Sequence, residues 1–442
     1  MKLKSIIGGA ALALAFISSA HADVTVNITG ATAFQKATLE SIKARFLAEP
    51  IETRTFKFAH DKAAGGFNGS KRSIFIGKFP GVDGTTTIKC CFTGSVEGIR
   101  ALVPVTDPLP PTYLPSSVLG ATTATAAGAE LPDITSGQVA EASDIAFSDV
   151  TKSSTPYGAY PLQPTTPAAG VIVFTMIASE GAPTSLTNIT AQQFRALLSS
   201  GFQPLRLFTG VAGDTQKVFV TGRNDGSGTR TTYLAETGYG ITKTVSQYVT
   251  NVSTATELTT IQLVPAGGVN DPVLPGQSTS NASTVWGQDV DGNGGYDSGT
   301  TLKNDLGKTG TSVTVLDEFG DDAFGAPQNL LLVTWLSLND AVTARQNGAK
   351  ILGYNGVILT DIAGTPGQPA NTTMSATDKA KITEGAYTAW GYENMYRLNS
   401  ITSGDKVTVY DAIKNNLVLS TAGIALTDMH VGRAVDGGVV AP

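Results

Sequence analysis

Three times along this chain a run of strand-forming residues ends in a turn of Gly, Ser and Thr that opens a helix, and this junction constrains the fold more than any other feature. Val24 to Ile28 runs into Thr29-Gly30-Ala31-Thr32-Ala33-Phe34, after which Leu39, Ile42 and Phe46 fall on one helical face and Pro50 stops the run. Thr87 to Phe92 leads to Thr93-Gly94-Ser95, with Val96, Ile99 and Leu102 at helical spacing. Lys217 to Thr221 leads to Arg223-Asn224-Asp225-Gly226-Ser227-Gly228-Thr229. Strands alternating with helices in this way predict an α/β architecture.

The rest of the chain fills in that plan. Residues 51 to 84 are less regular, and residues 104 to 140, rich in Pro, Thr, Ala and Gly, read as a surface loop. Ile145 and Phe147 alternate with Ala146 and Ser148 in a short strand that delivers Asp149 at its end. Val171 to Met176 is apolar apart from Thr175, as expected of a strand covered on both faces. Thr190 and Gln193 fit a capping box with Gly201 as the stop. Signals weaken from Gly240 to Asp322, which reads as an insertion of hairpins and loops. A helix is expected from Gln328 to Gln346, a strand from Ile351 to Leu359, and a closing segment holds Tyr387, Trp390, Tyr392 and Tyr396.

The N-terminus carries Lys2 and Lys4, an apolar stretch from Ile6 to Ile17 and then Ala20-His21-Ala22, the pattern of a secretory signal peptide cleaved near Ala22. The expected mature chain is periplasmic or secreted. No cysteine stands at the cleavage point to take a lipid anchor, and no later run is long and apolar enough to cross a bilayer. Loss of two lysines with the leader takes the formal charge from -6 to -8. An acidic chain without basic runs argues against nucleic-acid binding but leaves room for a local anion site. The only cysteines are the neighbours Cys90 and Cys91, which could join only through a strained vicinal bridge.

A strand-turn-helix junction aims free backbone N–H groups at one point, and the helix dipole adds partial positive charge there. Of the three junctions only the last adds a guanidinium, from Arg223, which grips two oxygens in a fork and keeps its charge; Asp225 is placed to steady it. Asp289-Val290-Asp291-Gly292-Asn293-Gly294-Gly295-Tyr296-Asp297 resembles the start of a calcium loop, with Asp289, Asp291, Asn293 and Asp297 as ligands. Its twelfth position is Thr300, without the closing carboxylate, so a Gly/Asp-rich turn is the alternative. Beyond the leader the histidines are His60 and His430, neither in a nucleophile or metal motif, and no enzyme activity or cofactor is expected.

Taken together, Thr29 to Phe34, Thr93-Gly94-Ser95, Ser148-Asp149 and Arg223 to Thr229 resemble, in order, the segments of the phosphate-binding proteins of ABC-type phosphate uptake. Leu186 to Gly201, Ile351-Leu352-Gly353-Tyr354 and Ile382 to Tyr396 extend the resemblance over most of the chain. It implies a two-lobed type II periplasmic binding protein fold, with residues 23–172 plus 355–442 as one lobe and 173–354 as the other, carrying the insertion near 240–322. It further implies inorganic phosphate in the cleft, contacted by Thr32, Ala33, Phe34, Ser95, Asp149, Arg223, Asp225, Ser227, Gly228 and Thr229. A monomer serving a membrane permease is the expected setting, with adhesion, sensing, scavenging or another oxyanion as alternatives. The first loop is one residue shorter than the family's usual form, Ala33 stands where threonine is common, and Glu97 stands where glycine is common. Phosphate keeps a proton near neutral pH and can donate it to Asp149, whereas sulfate would face that carboxylate as an unmatched acceptor.

Overall fold

The computed structural model describes residues 23–52, 54–104, 110–119, 128–264, 294–369, 373–417 and 423–442. The expected leader, and Asp289, Asp291 and Asn293 of the calcium-loop candidate, lie outside the described residues. Among the described residues no helix is long and apolar enough to cross a membrane.

The organising element is the Val24–Gly30 strand, which pairs in parallel with Thr85–Phe92 on one side and Ile145–Ser148 on the other. Beyond Ile145–Ser148 comes the antiparallel Trp390–Leu398 strand, and then Ala168–Ala178. The order of parallel strands is therefore second, first, third, followed by an antiparallel strand from near the chain's end. These strands form the first of two α/β lobes. Gly30 lies level with both Phe92 and Phe147, so three parallel strands end along one edge and hand their loops to the same place.

Ala168–Ala178 joins the lobes by changing partners along its length. Residues up to Val173 pair with Trp390–Leu398, while Phe174 onward pairs with Leu330–Ser337. In the second lobe Lys217–Val220 runs parallel to Leu330–Ser337, with Val220 opposite Val333, and its carboxyl end also points at the cleft. Both lobes thus present the ends of their parallel strands, where ligands of open α/β sheets sit.

The core follows the apolar pattern. Phe46, from the helix Gln35–Leu47, stacks on Phe56 at 4.9 Å and meets Phe79 edge-on at 5.2 Å. Each of these rings is fully buried, a burial that contributes about 1.5–3 kcal/mol per side chain. The capping box at Thr190 and Gln193 forms as expected and opens the helix Ala191–Ser200, with Gly201 as its stop.

Several elements differ from the sequence reading. The expected helix from Gln328 to Gln346 is a buried strand, Leu330–Ser337, followed by the helix Leu338–Gln346. The unbroken apolar run Leu330 to Val333 belongs to a strand covered on both faces, and helical spacing could not distinguish the two. The irregular stretch before Gly84 holds two paired strands, Phe56–His60 and Arg72–Lys78. The strand expected to reach Leu359 ends at Tyr354, where Asn355 takes a left-handed conformation with φ 49°. Within the supposed loop, Tyr113 and Leu114 are buried, and Thr112–Tyr113 pairs with Val139–Ala140. The weak region near 240–322 contains the hairpin of Tyr248–Ser253 with Leu258–Leu263, the helix Gly299–Leu306 and the strand Thr314–Leu316. Cys90 and Cys91 are buried and unbridged; as neighbours on one strand they point to opposite faces.

Candidate functional site

Each predicted segment lies at the end of a strand, and the register explains their meeting. Past Gly30, Ala31 donates its N–H to the carbonyl of Phe147 at 2.8 Å, and Thr32–Phe34 forms a short 3-10 turn that feeds the helix Gln35–Leu47. Past Phe92, both Thr93 and Gly94 donate to the carbonyl of Gly30, and Ser95 opens the helix Ser95–Arg100. Past Ser148, the backbone N–H of Asp149 donates to Ser95 Oγ at 3.2 Å. Three loops of the first lobe are thereby tied together by their own backbone.

The second lobe closes on them directly. Val96 donates its N–H to the carbonyl of Gly226 at 3.1 Å, across the cleft. Gly94 adopts φ 126°, and a Cβ there would stand 2.5 Å from the Gly226 carbonyl oxygen, so the close approach requires glycine on the first-lobe side. A methyl group at Gly228 would collide with Ser95 Oγ and stand 2.9 Å from Asp149 Oδ2. Gly228 starts the helix Gly228–Glu236, whose N-cap Ser227 makes no side-chain cap. The N–H groups of Gly228 and Thr229 precede the first intrahelical bond, made by Thr231 to the carbonyl of Ser227, and so remain available to a ligand.

Arg223 is almost fully buried, and its guanidinium is spread across the site. Nε donates to the carbonyl of Tyr296 at 3.0 Å, Nη2 to the carbonyl of Asp297 at 2.9 Å, and Nη1 reaches Thr32 Oγ1 of the first lobe at 3.4 Å. Burial lowers its pKa, opposed by the charges of Asp297, Asp340 and Asp149. Tyr296 is itself fixed, donating to Asp305 Oδ2 at 2.8 Å and accepting from the N–H of Thr250. Sequence reasoning missed this Tyr296–Asp297 support, because backbone carbonyls carry no residue signature. Asp297, a calcium candidate by spacing, meets Arg223 through its carbonyl. Asp225, Ser227 and Thr229 are buried within the same turn.

Asp149 is 2% exposed, and its Oδ1 has no hydrogen-bond partner among the described residues. Burial pushes its pKa up to about 6 against the opposing pull of the Ser95 hydroxyl and the Arg223 charge. Glu393, on the Trp390–Leu398 strand, was not foreseen. Asn394 pairs with Ser148 across the ladder, and the antiparallel register places Glu393 beside Asp149. Glu393 is completely buried, neither carboxyl oxygen has a donor among the described residues, and burial followed by the Asp149 charge holds its pKa far above the usual carboxylate range. The signal available in sequence was the single acid of a strand that is mostly apolar and aromatic, with Asn394 and Arg397 as its other polar side chains.

Glu97, the departure noted above, pairs with Arg100 on its own helix and packs its stem against Gly226. Beside Ala33 and Phe34 lies a small cavity lined also by Ile172, Ser337 and Asn339, with room for about one water.

Fold and site together define a two-lobed α/β protein with a buried cation, free helix N–H groups and an acidic acceptor gathered between its lobes. Three solved structures are similar to this chain. A putative phosphate ABC transporter substrate-binding protein with bound phosphate from Clostridium perfringens is 11% identical, with a TM-score of 0.43 over 91% of this chain and 100% of the other. An ABC-type phosphate transport receptor from Vibrio cholerae is 11% identical, with a TM-score of 0.41 over 91% and 100%. PstS from Borrelia burgdorferi is 13% identical, with a TM-score of 0.33 over 91% and 98%. No family model matches the chain, and no curated protein sequence matches it.

Proposed function

We propose that this protein captures inorganic phosphate between its two lobes, residues 23–172 with 355–442 and residues 173–354, without covalent chemistry. The observation that carries this reading is the juxtaposition of Arg223 with the buried carboxyl of Asp149, whose Oδ1 is unmatched. A guanidinium and the first N–H groups of a helix call for an anion. A buried acceptor beside them calls for an anion that still carries a proton. Phosphate meets both demands near neutral pH, while sulfate leaves Asp149 facing another acceptor. Thr32 to Phe34, Ser95, Asp225 and Ser227 to Thr229 complete the proposed contact set. An exported binding protein of this kind works as a monomer and, on closing, presents a surface to a membrane permease that receives the anion.

The test is calorimetric titration of the purified protein with phosphate, sulfate and molybdate at neutral pH. Phosphate is expected to bind and sulfate to bind at least about a hundredfold more weakly, as befits a buried mismatch of several kcal/mol. Absence of heat with phosphate, or equal binding of sulfate, contradicts the reading.

A further inference from the structure

Two carboxyl groups placed side by side in a dry interior repel if both are charged, and directly opposed like charges destabilise a sheet. Glu393 and Asp149 occupy such a position, on neighbouring strands and within hydrogen-bonding reach of one another. Among the described residues no cation intervenes on the Glu393 side: the charged groups acting on Asp149 are Arg223 across the cleft, Asp436 from the C-terminal tail and Glu393 itself, with the Ser95 hydroxyl as a further neighbour. Asp436 is engaged elsewhere, accepting from the N–H and hydroxyl of Thr151 at 2.8 Å each. Among the described residues, the charge acting on Glu393 is that of Asp149.

We propose that Glu393 is a positioning residue that shares one proton with Asp149 and, by donating it, holds Asp149 as an acceptor toward the ligand. This rests on the phosphate reading and adds the group that sets the selectivity of the site. One proton on the pair leaves a single negative charge, which rests mainly on Asp149, the member nearer Arg223. Of the two groups Glu393 keeps the proton more strongly, because it is fully buried and lacks both the Arg223 charge and the Ser95 hydroxyl that favour ionised Asp149. The Glu393 carboxyl O–H then meets one oxygen of Asp149, and the carboxylate keeps a further lone pair with which to accept the proton-bearing oxygen of the anion. An oxyanion without a proton finds no donor at that point. When a second proton arrives at low pH, Asp149 becomes a donor and the basis for discrimination is lost.

The inference is tested with Glu393→Gln, whose amide can still donate to Asp149, and Glu393→Leu, which cannot. Phosphate and sulfate affinities are measured from about pH 5.5 to 8.5, alongside the infrared band of a protonated carboxyl in the unliganded protein at neutral pH. The expected result is a protonated-carboxyl band that Glu393→Gln removes, selectivity kept within about threefold by Glu393→Gln, and selectivity reduced about tenfold or more by Glu393→Leu with a shifted pH profile. Absence of the band in a protein that still binds phosphate selectively overturns the shared proton and leaves the phosphate reading standing. Unaltered selectivity and pH profile in folded Glu393→Leu overturn the positioning role. A clear band in a protein that does not bind phosphate refutes the phosphate reading and the selectivity role resting on it, while retaining the proton pair as a structural fact.

Discussion

The two sides of the cleft meet their electrostatic needs in opposite ways. On the second-lobe side, Arg223 is buried but already engaged, with carbonyls of Tyr296 and Asp297 fixing two of its nitrogens. On the first-lobe side, Asp149 and Glu393 are buried against each other, and Asp149 Oδ1 and both Glu393 oxygens receive no hydrogen bond from an N–H or hydroxyl group among the described residues. The difference separates attraction from discrimination. A preorganised guanidinium attracts any anion of suitable size, whereas an acceptor held without a donor rewards only a ligand that brings one.

The largest effect should come from the attracting side. Arg223→Ala removes the fork and the link to Thr32, and phosphate affinity in calorimetry is expected to fall by about a hundredfold or more, since truncating a buried hydrogen-bonded charge costs about 2–5 kcal/mol. Arg223→Lys keeps the charge and loses the planar fork, so an intermediate loss is expected. Wild-type affinity in either variant would mean that attraction resides elsewhere.

Closure comes next. Gly228→Ala places a methyl group against Ser95 Oγ and Asp149 Oδ2. The lobes must then part or the helix must shift, which is expected to weaken binding and to destabilise the closed form by about 1–3 kcal/mol, visible as a lower melting temperature with phosphate present. An unchanged ligand-dependent shift in melting temperature would show that the lobes do not meet there.

The discriminating side is sharpened by Asp149→Asn, which should let sulfate approach phosphate in affinity. The same change should stabilise the unliganded protein. Asp149 has a folded pKa of about 6, raised by burial above its unfolded value. The folded form therefore binds the proton more tightly, and the resulting stability is present below about pH 4 and lost as pH rises through about 6. At pH 7 the ionised group opposes folding by up to about 3 kcal/mol, and Asp149→Asn removes that opposition. Denaturant unfolding from pH 4 to 7 checks this: stability of the wild type should decline over that interval relative to the variant. The smallest effect is expected from Ser95→Ala, about 1 kcal/mol in phosphate binding by calorimetry, from loss of one hydroxyl beside Asp149.

The attracting side was the more legible in sequence because it is local. Arg223 to Thr229 falls within seven consecutive residues, and the strand before it and helix after it are marked by their own periodicity. Asp149 was legible through its place at the end of a strand and through the Ser148-Asp149 segment of the resemblance. Glu393 was not, since its partner is 244 residues away in the chain and the antiparallel register that joins them is a property of the assembled sheet. The Leu330–Ser337 strand was misread for a related reason: a short apolar run is compatible with either element until its neighbours are known.

The central claim is that one proton-bearing anion touches both sides at once, and a crystal structure grown with phosphate tests it most directly. The account predicts phosphate within hydrogen-bonding distance of the Arg223 guanidinium, the N–H groups of Gly228 and Thr229, Ser95 Oγ and one oxygen of Asp149, with Glu393 against the other oxygen. Phosphate bound elsewhere, or in the cleft with Asp149 turned away from it, would contradict the account.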